Sequence, residues 1–340
     1  MNNKLRANNL FGYATSELSQ DAFICWLLSH STEEGWMEEP EIRDCAIEFL
    51  NKILKSKNLT FTNNIRTKIK KQYKNIDILV ILGDIHIIIE DKTFTNSHNN
   101  QINKYKDTLV KEGIKEEHIL CVYYKIIEQA FPEKNVDYEF TREILLDLFK
   151  IYIDRSGGSN PIFRDYFEYL EYIDNEVKSY EYLKIEKWTS YSYIGFYTNL
   201  RKTILKDEDT SWGYVSNPSG GFMGLWWFGI LNNQDLNKIG LTEDLCEEVY
   251  LQVENDIITV KYSLDTEKYK NAKYDIEKIQ SIKWKIYQYF KNIFGETFKK
   301  KSFKIGQYMT IGYINYNEIN YDTIFTDLKQ ALINMKLTID

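Results

Sequence analysis

The spacing of apolar residues changes along the first part of the chain. Over Thr15–His30 and Ile42–Leu54 they recur every three or four positions, which predicts two amphipathic helices. Over Phe61–Lys70 apolar and polar residues alternate, as in a half-exposed strand. Ile76–Leu82 and Ile85–Ile89 are nearly continuous β-branched runs, which predicts two buried central strands.

The segments that follow complete an α/β pattern. Gly83-Asp84, between the last two strands, is a two-residue hairpin signal. A helix is predicted over about His98–Glu112, with Gly113 just past its end, and a strand over His118–Lys125. The order αβββαβ predicts a mixed α/β (α+β) fold, in which a mixed sheet has helices on both faces.

The rest of the chain predicts an α/β extension of this core. Ser156–Pro161 is the clearest linker, because it combines serine, glycine, asparagine and proline. We therefore expect a core over residues 1–155 and, over 156–340, a helical linker region followed by an α/β region, unless the two form one continuous domain. Helices are predicted over Arg142–Ile153, Ile162–Glu186, Tyr191–Leu205 and Ile324–Met335, and strands over Val249–Val253, Ile257–Tyr262 and Met309–Ile314.

Net charge limits the classes of function. With a net charge of −7, the 340-residue chain lacks the positive excess of a protein that coats nucleic acid. Basic runs at Lys68–Lys71 and Lys299–Lys301 could contact phosphates locally, or each could be a solvated face. A nuclease with local basic contacts is therefore compatible with the overall charge.

Cysteine usage and hydropathy indicate a cytoplasmic location. The four cysteines are scattered without a CxxC pair, as is typical of thiols in a reducing compartment. Met1–Leu10 is polar and predicts no signal peptide, and the apolar stretch Phe222–Ile230 is too short to cross a bilayer, so we expect no membrane contact. The aromatic run Leu225–Phe228 predicts core packing, with stacking on unpaired bases as the alternative.

The predicted hairpin brings two acids together. If it closes symmetrically around Gly83-Asp84, Asp77 faces Glu90, with Cβ atoms roughly 4.5–5.5 Å apart. Strand alternation places Lys92 on the same face as Glu90. A divalent cation between the carboxylates would remove their repulsion, and Mg²⁺ or Mn²⁺ prefers oxygen ligands.

This combination of groups suits phosphodiester hydrolysis. A metal there would lower the pKa of a bound water, and the lysine would add positive charge near the attacked phosphorus. Two alternatives stay open. The register changes if the turn has three residues, and Lys92 could be an ordinary lysine paired with Glu90 or Asp91 at a strand end.

The same residues resemble a known family. Asp77, followed by Ile88–Lys92, is similar to the signature of the PD-(D/E)XK nuclease superfamily, and Gln101 and Tyr105 resemble the QxxxY helix motif of a bacterial and phage branch of it. Glu17 lies in the first helix, where this superfamily carries an acid. The resemblance implies a restriction-endonuclease-like core over residues 1–155.

The resemblance also implies roles for individual residues. Asp77 and Glu90 would bind Mg²⁺ or Mn²⁺, with the backbone carbonyl of Asp91, or its side chain, as a further ligand. Lys92 would be the catalytic lysine. Glu17 would join the metal shell, although an acid in a first helical turn also favours the helix dipole without any metal.

Gln101 and Tyr105 would position the substrate or the lysine. Their spacing of four residues on one helix face is equally compatible with Tyr105 as plain core. The function expected from the resemblance is metal-dependent hydrolysis of nucleic acid, with DNA as substrate, in phage defence or DNA processing. The alternatives are a catalytically silent nucleic-acid- or protein-binding module on the same fold and an RNA-directed nuclease. The C-terminal half is a candidate surface for self-association or for a protein partner.

Overall fold

A computed structural model of the chain describes residues 4–35, 39–61, 67–93, 100–217, 220–231, 237, 246–264, 276–302, 305–316 and 323–330. The chain divides into two units, Met1–Val177 and Lys178–Asp340, and each is described by itself. The predicted linker Ser156–Pro161 connects two helices inside the first unit. Among the described residues, no helix is long and apolar enough to cross a membrane.

The first unit is built on a five-stranded mixed sheet. Its strands lie in chain order across the sheet, with β1, β2 and β3 antiparallel and β3, β4 and β5 parallel. The predicted mixed α+β fold and its αβββαβ order are confirmed. The strands are β1 (Thr67–Tyr73), β2 (Ile76–Leu82), β3 (Ile85–Lys92), β4 (Ile119–Lys125) and β5 (Tyr138–Thr141). The helices are α1 (Glu17–Ser29), α2 (Pro40–Lys55), α3 (Gln101–Lys111), α4 (Arg142–Ser156) and α5 (Pro161–Val177).

The β2–β3 hairpin has the symmetric register that the sequence predicts. Ile78 pairs with Ile89 and Leu82 with Ile85, across a two-residue turn. Gly83 makes this turn with φ +58°, a backbone conformation that glycine adopts without steric cost. The pairing ends at Ile78 and Ile89. Asp77, the residue before Ile78, therefore lies beside the end of β3.

Helices cover both faces of this sheet. On one face, Ile102, Tyr105 and Leu109 of α3 pack against Ile88 and neighbouring apolar residues of β4. The other face packs on α1, α2, α4 and α5, where Phe49 of α2 stacks on Phe140 of β5 at 4.0 Å between ring centroids. Both faces of β3 are thus buried, so polar side chains at its end are held by protein on two sides.

In the first unit, two boundaries and one missed strand are the main differences from the sequence prediction. The first strand runs over Thr67–Tyr73, because it continues to the tight turn before β2, and residues 62–66 of the predicted Phe61–Lys70 strand lie outside the described residues. α5 ends at Val177 and is followed by short 3₁₀ turns, so the helix predicted to Glu186 is too long. β5 was not predicted, because four residues are too few for a hydrophobic period.

The second unit contains a six-stranded antiparallel sheet in the order β10-β11-β9-β8-β7-β6. One face of the sheet buries alternate strand residues such as Leu225, Leu251 and Val260. Ile286, in the helix Ile276–Phe294, is also buried. The strands are β6 (Thr210–Val215), β7 (Phe222–Trp227), β8 (Cys246–Glu254), β9 (Ile257–Leu264), β10 (Lys299–Lys300) and β11 (Tyr308–Asn315). The helices are α6 (Ser190–Lys202), α7 (Ile276–Phe294) and α8 (323–330); the rest of the predicted closing helix, 331–335, lies outside the described residues.

Candidate active site

Four of the predicted site residues meet at the carboxyl end of β3. The ammonium Nζ of Lys92 lies 2.5 Å from Oε1 of Glu90. The same atom is 3.7 Å from Oδ2 of Asp77 and 3.7 Å from Oε2 of Glu17. Three carboxylates, from α1, β2 and β3, therefore converge on one lysine.

Burial makes this group of charges unusual. Glu90 is fully buried, and burial, with the repulsion of Asp77, raises the pKa of its carboxyl to about 8. Burial alone would lower the pKa of Lys92, but the contact with Glu90 and the charge of Asp77 outweigh it and raise that pKa. Lys92 is thus held protonated, and its charge keeps the carboxylates together.

Backbone amides at the strand end orient two of the acids. The amide N–H of Asp91 donates to Oδ2 of Asp77 at 3.2 Å, and that of Thr93 donates to Oε1 of Glu17 at 3.2 Å. Gln72 of β1 also donates to Oδ1 of Asp77, at 3.4 Å. The second oxygen of Glu17, Oε2, lies 3.7 Å from Nζ of Lys92, whereas in Asp77 the same Oδ2 faces both the amide and that ammonium, so the fold fixes the direction of both carboxylates.

The side chain of Asp91 does not join this group. It is fully buried and accepts a hydrogen bond from Nε2 of Gln20 in α1. Gln20 in turn accepts from the Tyr166 hydroxyl at 3.1 Å, and that hydroxyl lies 2.9 Å from the hydroxyl of Tyr124. The backbone carbonyl of Asp91 instead accepts a hydrogen bond from Nζ of Lys92 at 2.9 Å. Of the two predicted ligand atoms of this residue, the carbonyl is the one beside the cluster.

Gln101 and Tyr105 lie on α3. Nε2 of Gln101 donates to the hydroxyl of Tyr105 at 2.5 Å, and the ring of Tyr105 is part of the apolar cluster under the helix. Burial raises the pKa of Tyr105, and the negative charges of Glu90 and Asp77 raise it further. Tyr105 is therefore both a core residue and an electrostatic neighbour of the site.

The donor atoms fit a divalent cation. Both oxygens of Glu90 are buried; Oε1 contacts Lys92, and Oε2 has no hydrogen-bond partner in the described part of the chain. Carboxylate and carbonyl oxygens are the ligands that Mg²⁺ and Mn²⁺ prefer. Within the same ranges, no three His, Cys, Asp or Glu side chains are already arranged to hold a metal. The ammonium of Lys92 provides the positive charge here, and a bound cation would take over that compensation.

Comparison with protein families now adds to the geometry. The model of a family described as "PD-(D/E)XK nuclease superfamily" matches residues 8–207, more than half of the 340-residue chain. The chain belongs to the PD-(D/E)XK nuclease superfamily. The recognition made from the sequence is thereby confirmed, and a nuclease type of function with a nucleic-acid substrate follows from it. No curated protein and no solved structure matched the chain.

Sequence reasoning missed two residues around this nuclease site, Asp21 and Lys125. Asp21, one turn after Glu17 in α1, is 2% exposed, and burial, with repulsion from Asp77, raises its pKa to about 6. Lys125 ends β4 as Lys92 ends β3, and the two are paired by the parallel register. The Nζ of Lys125 donates to the carbonyl of Thr93 at 3.0 Å, and burial lowers its pKa to about 8. The sequence signal that could have identified Lys125 is a charged residue at the end of an otherwise apolar strand.

Proposed function

We propose that the chain is a divalent-metal-dependent nuclease that hydrolyses phosphodiester bonds of DNA. The observation that carries the proposal is the convergence of Glu17, Asp77 and Glu90 on Lys92 at the end of β3. In this proposal Asp77 and Glu90 hold Mg²⁺ or Mn²⁺, with the Asp91 carbonyl and Glu17 as further ligands. When bound, such a metal lowers the pKa of a coordinated water and neutralises developing charge on phosphate.

The protein groups have complementary tasks. Lys92, protonated and only 8% exposed, supplies positive charge and a hydrogen-bond donor beside the scissile phosphate. The amide groups of Asp91 and Thr93 fix the carboxylates of Asp77 and Glu17 before substrate arrives. We assign Gln101 and Tyr105 to positioning, since their hydrogen-bonded pair lies on the helix that covers the same face of the sheet.

The choice of DNA and of a role in phage defence or DNA processing rests on analogy with the superfamily. Cys25, Cys45 and Cys121 are free thiols, which supports our proposal that the protein works in a reducing cytoplasm. Self-association or a protein partner through the C-terminal half stays a prediction, as does the functional division at residue 155.

A cleavage assay tests the proposal. Linear duplex DNA, single-stranded DNA, plasmid and RNA are incubated with the protein in Mg²⁺, Mn²⁺ or EDTA, beside Lys92→Ala and the exposed control Lys115→Ala. We expect metal-dependent cleavage of DNA by the parent and the control, and a loss of at least about 100-fold in Lys92→Ala. No metal-dependent cleavage of any substrate would contradict the proposal and favour the catalytically silent binding module. Preferred cleavage of RNA would favour the RNA-directed nuclease. Full activity of Lys92→Ala would remove the lysine from the mechanism.

A further inference from the structure

The second unit carries a cavity of about 610 Å³ on one face of its sheet. The antiparallel register places Trp226 of β7 beside Gln252 of β8, and Gln252 beside Thr259 of β9. Residues aligned in this way project from the same face, whereas their neighbours Leu251 and Val260 are buried on the opposite face. The cavity volume is within the range of sites for small ligands.

Trp226 forms a fixed aromatic surface in this cavity. Its indole Nε1–H donates to Oε1 of Gln252 at 3.0 Å. Gly213 and Gly224 are paired across β6 and β7, and a Cβ atom on either would lie 3.7 Å from the indole ring. The ring thus lies against two glycine backbones, while its sequence neighbour Trp227 is buried on the other face of the sheet. A ring held by one hydrogen bond and two glycines is preorganised for stacking.

Polar groups continue from the indole in a hydrogen-bonded series. Gln252 is 6% exposed, and its Nε2 donates to Oε2 of Glu254 at 3.0 Å. The hydrogen bonds from Trp226 to Gln252 and from Gln252 to Glu254 therefore fix the Glu254 carboxylate in the cavity wall. A carboxylate accepts hydrogen bonds from N–H groups. On β9, Nζ of Lys261 donates to Oγ1 of Thr310 at 3.1 Å, which leaves an ammonium with further donors in the same wall.

This combination restricts the chemistry of a ligand. A purely apolar molecule would bury the polar groups of Glu254 and Lys261 without offering either a hydrogen-bond partner. A simple cation would suit Glu254 but would be repelled by Lys261. A nucleobase has a flat ring for Trp226 and N–H donors at its edge for a carboxylate, and the phosphate joined to it through the sugar suits a lysine.

We propose that this cavity of the second unit binds a nucleobase, stacked on Trp226 with its hydrogen-bonding edge toward Glu254. The ligand is either a free nucleotide or an unpaired base of a nucleic-acid strand, since both present the same chemistry. Binding here needs no metal and no hydrolysis, so it stands or fails separately from the nuclease activity of the first unit.

Binding measurements on the full chain in EDTA test this site. Isothermal titration calorimetry compares nucleoside monophosphates, short single-stranded oligonucleotides and ribose phosphate, which lacks a base. We expect saturable binding of base-bearing ligands and none of ribose phosphate. Trp226→Ala is expected to bind about tenfold more weakly or worse, because base stacking on the indole is lost, and Trp226→Phe to bind between the two.

Control variants separate a binding role from a structural one. Trp284 is 46% exposed on α7 and does not line the cavity, so Trp284→Ala should bind as the parent does. Glu254→Gln keeps the size of the side chain and should weaken binding even if Trp226→Ala fails to fold. Tighter binding of oligonucleotides than of monophosphates assigns the site to a strand, and binding of monophosphates alone assigns it to a free nucleotide. The proposal is overturned if no base-bearing ligand binds saturably, if ribose phosphate binds equally well, or if Glu254→Gln and every folded Trp226 variant retain the parent affinity.

Discussion

The two faces of the end of β3 stabilise neighbouring buried acids in different ways. Glu90 lies on the face of α3, where burial raises the pKa of its carboxyl to about 8 and the Lys92 ammonium lies 2.5 Å from it. Asp91, the next residue, lies on the face of α1 and α5, where the amide of Gln20 and the hydroxyl of Tyr166 form a neutral network. Strand alternation thus places two adjacent acids on opposite faces of the sheet, where they have different roles. The first face concentrates charge for a metal and phosphate, and the second fixes the strand end.

The largest expected difference between the two faces is in activity. Glu90→Gln removes a proposed metal ligand and should lower the cleavage rate by at least about 100-fold. Asp91→Asn keeps an oxygen that can accept from Gln20 and should stay within about tenfold of the parent. Rates are measured with Mn²⁺ on the best DNA substrate. An equal loss in both variants would place the Asp91 side chain in the metal shell and end the division of roles.

The next prediction concerns Asp21 of α1, because its ionisation adds buried negative charge to the site. Its folded pKa of about 6 is above the ordinary 3.8, so the folded state holds this proton more tightly. The contribution of this carboxyl to the free energy of unfolding is fully present below pH 3.8 and is lost as the pH rises through about 6. Asp21→Asn avoids this loss and should be more stable than the parent above pH 6, by on the order of 3 kcal/mol, with no difference in acid.

Urea unfolding in EDTA across this pH range measures the difference. The matched control is Asp154→Asn, which removes an exposed acid from α4 and should change stability little at any pH. A parent that is equally or more stable than Asp21→Asn above pH 6 would show that the carboxylate is well solvated or well paired.

The neutral network should affect stability more than chemistry. Tyr166→Phe removes the hydroxyl that bonds Gln20 and Tyr124 and leaves buried partners unsatisfied, which should cost about 1–2 kcal/mol in the free energy of unfolding. Tyr13→Phe, at a tyrosine that is 78% exposed, is the control. Activity of the folded variant should change little. A large loss of activity at unchanged stability would instead give the network a catalytic task.

The smallest expected effect concerns α3. Tyr105→Phe keeps the ring in the core and removes only the hydroxyl that accepts from Gln101. If this pair positions the site, cleavage should fall by up to about tenfold, the equivalent of one neutral hydrogen bond. Single-turnover rates, together with an unfolding curve, separate this effect from packing. An unchanged rate would leave Tyr105 as a core residue.

Local patterns were enough to predict one face of β3. The grouping of Asp77, Glu90 and Lys92 followed from a two-residue turn at Gly83 and from strand parity, both of which depend on near neighbours in sequence. The network on the other face was not predictable. Gln20 and Tyr166 are separated by 146 positions, and no period in the sequence indicates which residues of two distant helices meet.

The second unit shows a different reason for failure. For the aromatic run Leu225–Phe228 the sequence predicts core packing without a strand assignment. Once β7 is known, alternation separates Trp227, which is 2% exposed in the core, from Trp226, which lines the cavity. The core interpretation therefore holds for one tryptophan and not for the other. A short apolar run alone does not distinguish a strand from a helix. The sequence therefore does not show whether the two-residue period of a strand or the 3.6-residue period of a helix applies to these tryptophans.

Metal binding and cleavage, measured on the same samples, test the central claim most directly. Mn²⁺ is titrated into the parent, Asp77→Asn and Asp154→Asn, with binding followed by calorimetry and cleavage of DNA assayed at each concentration. The account predicts saturable binding and cleavage that rise together in the parent and in Asp154→Asn, and the loss of both in Asp77→Asn. Cleavage that persists in EDTA, or binding and cleavage that are unchanged in Asp77→Asn, would contradict it.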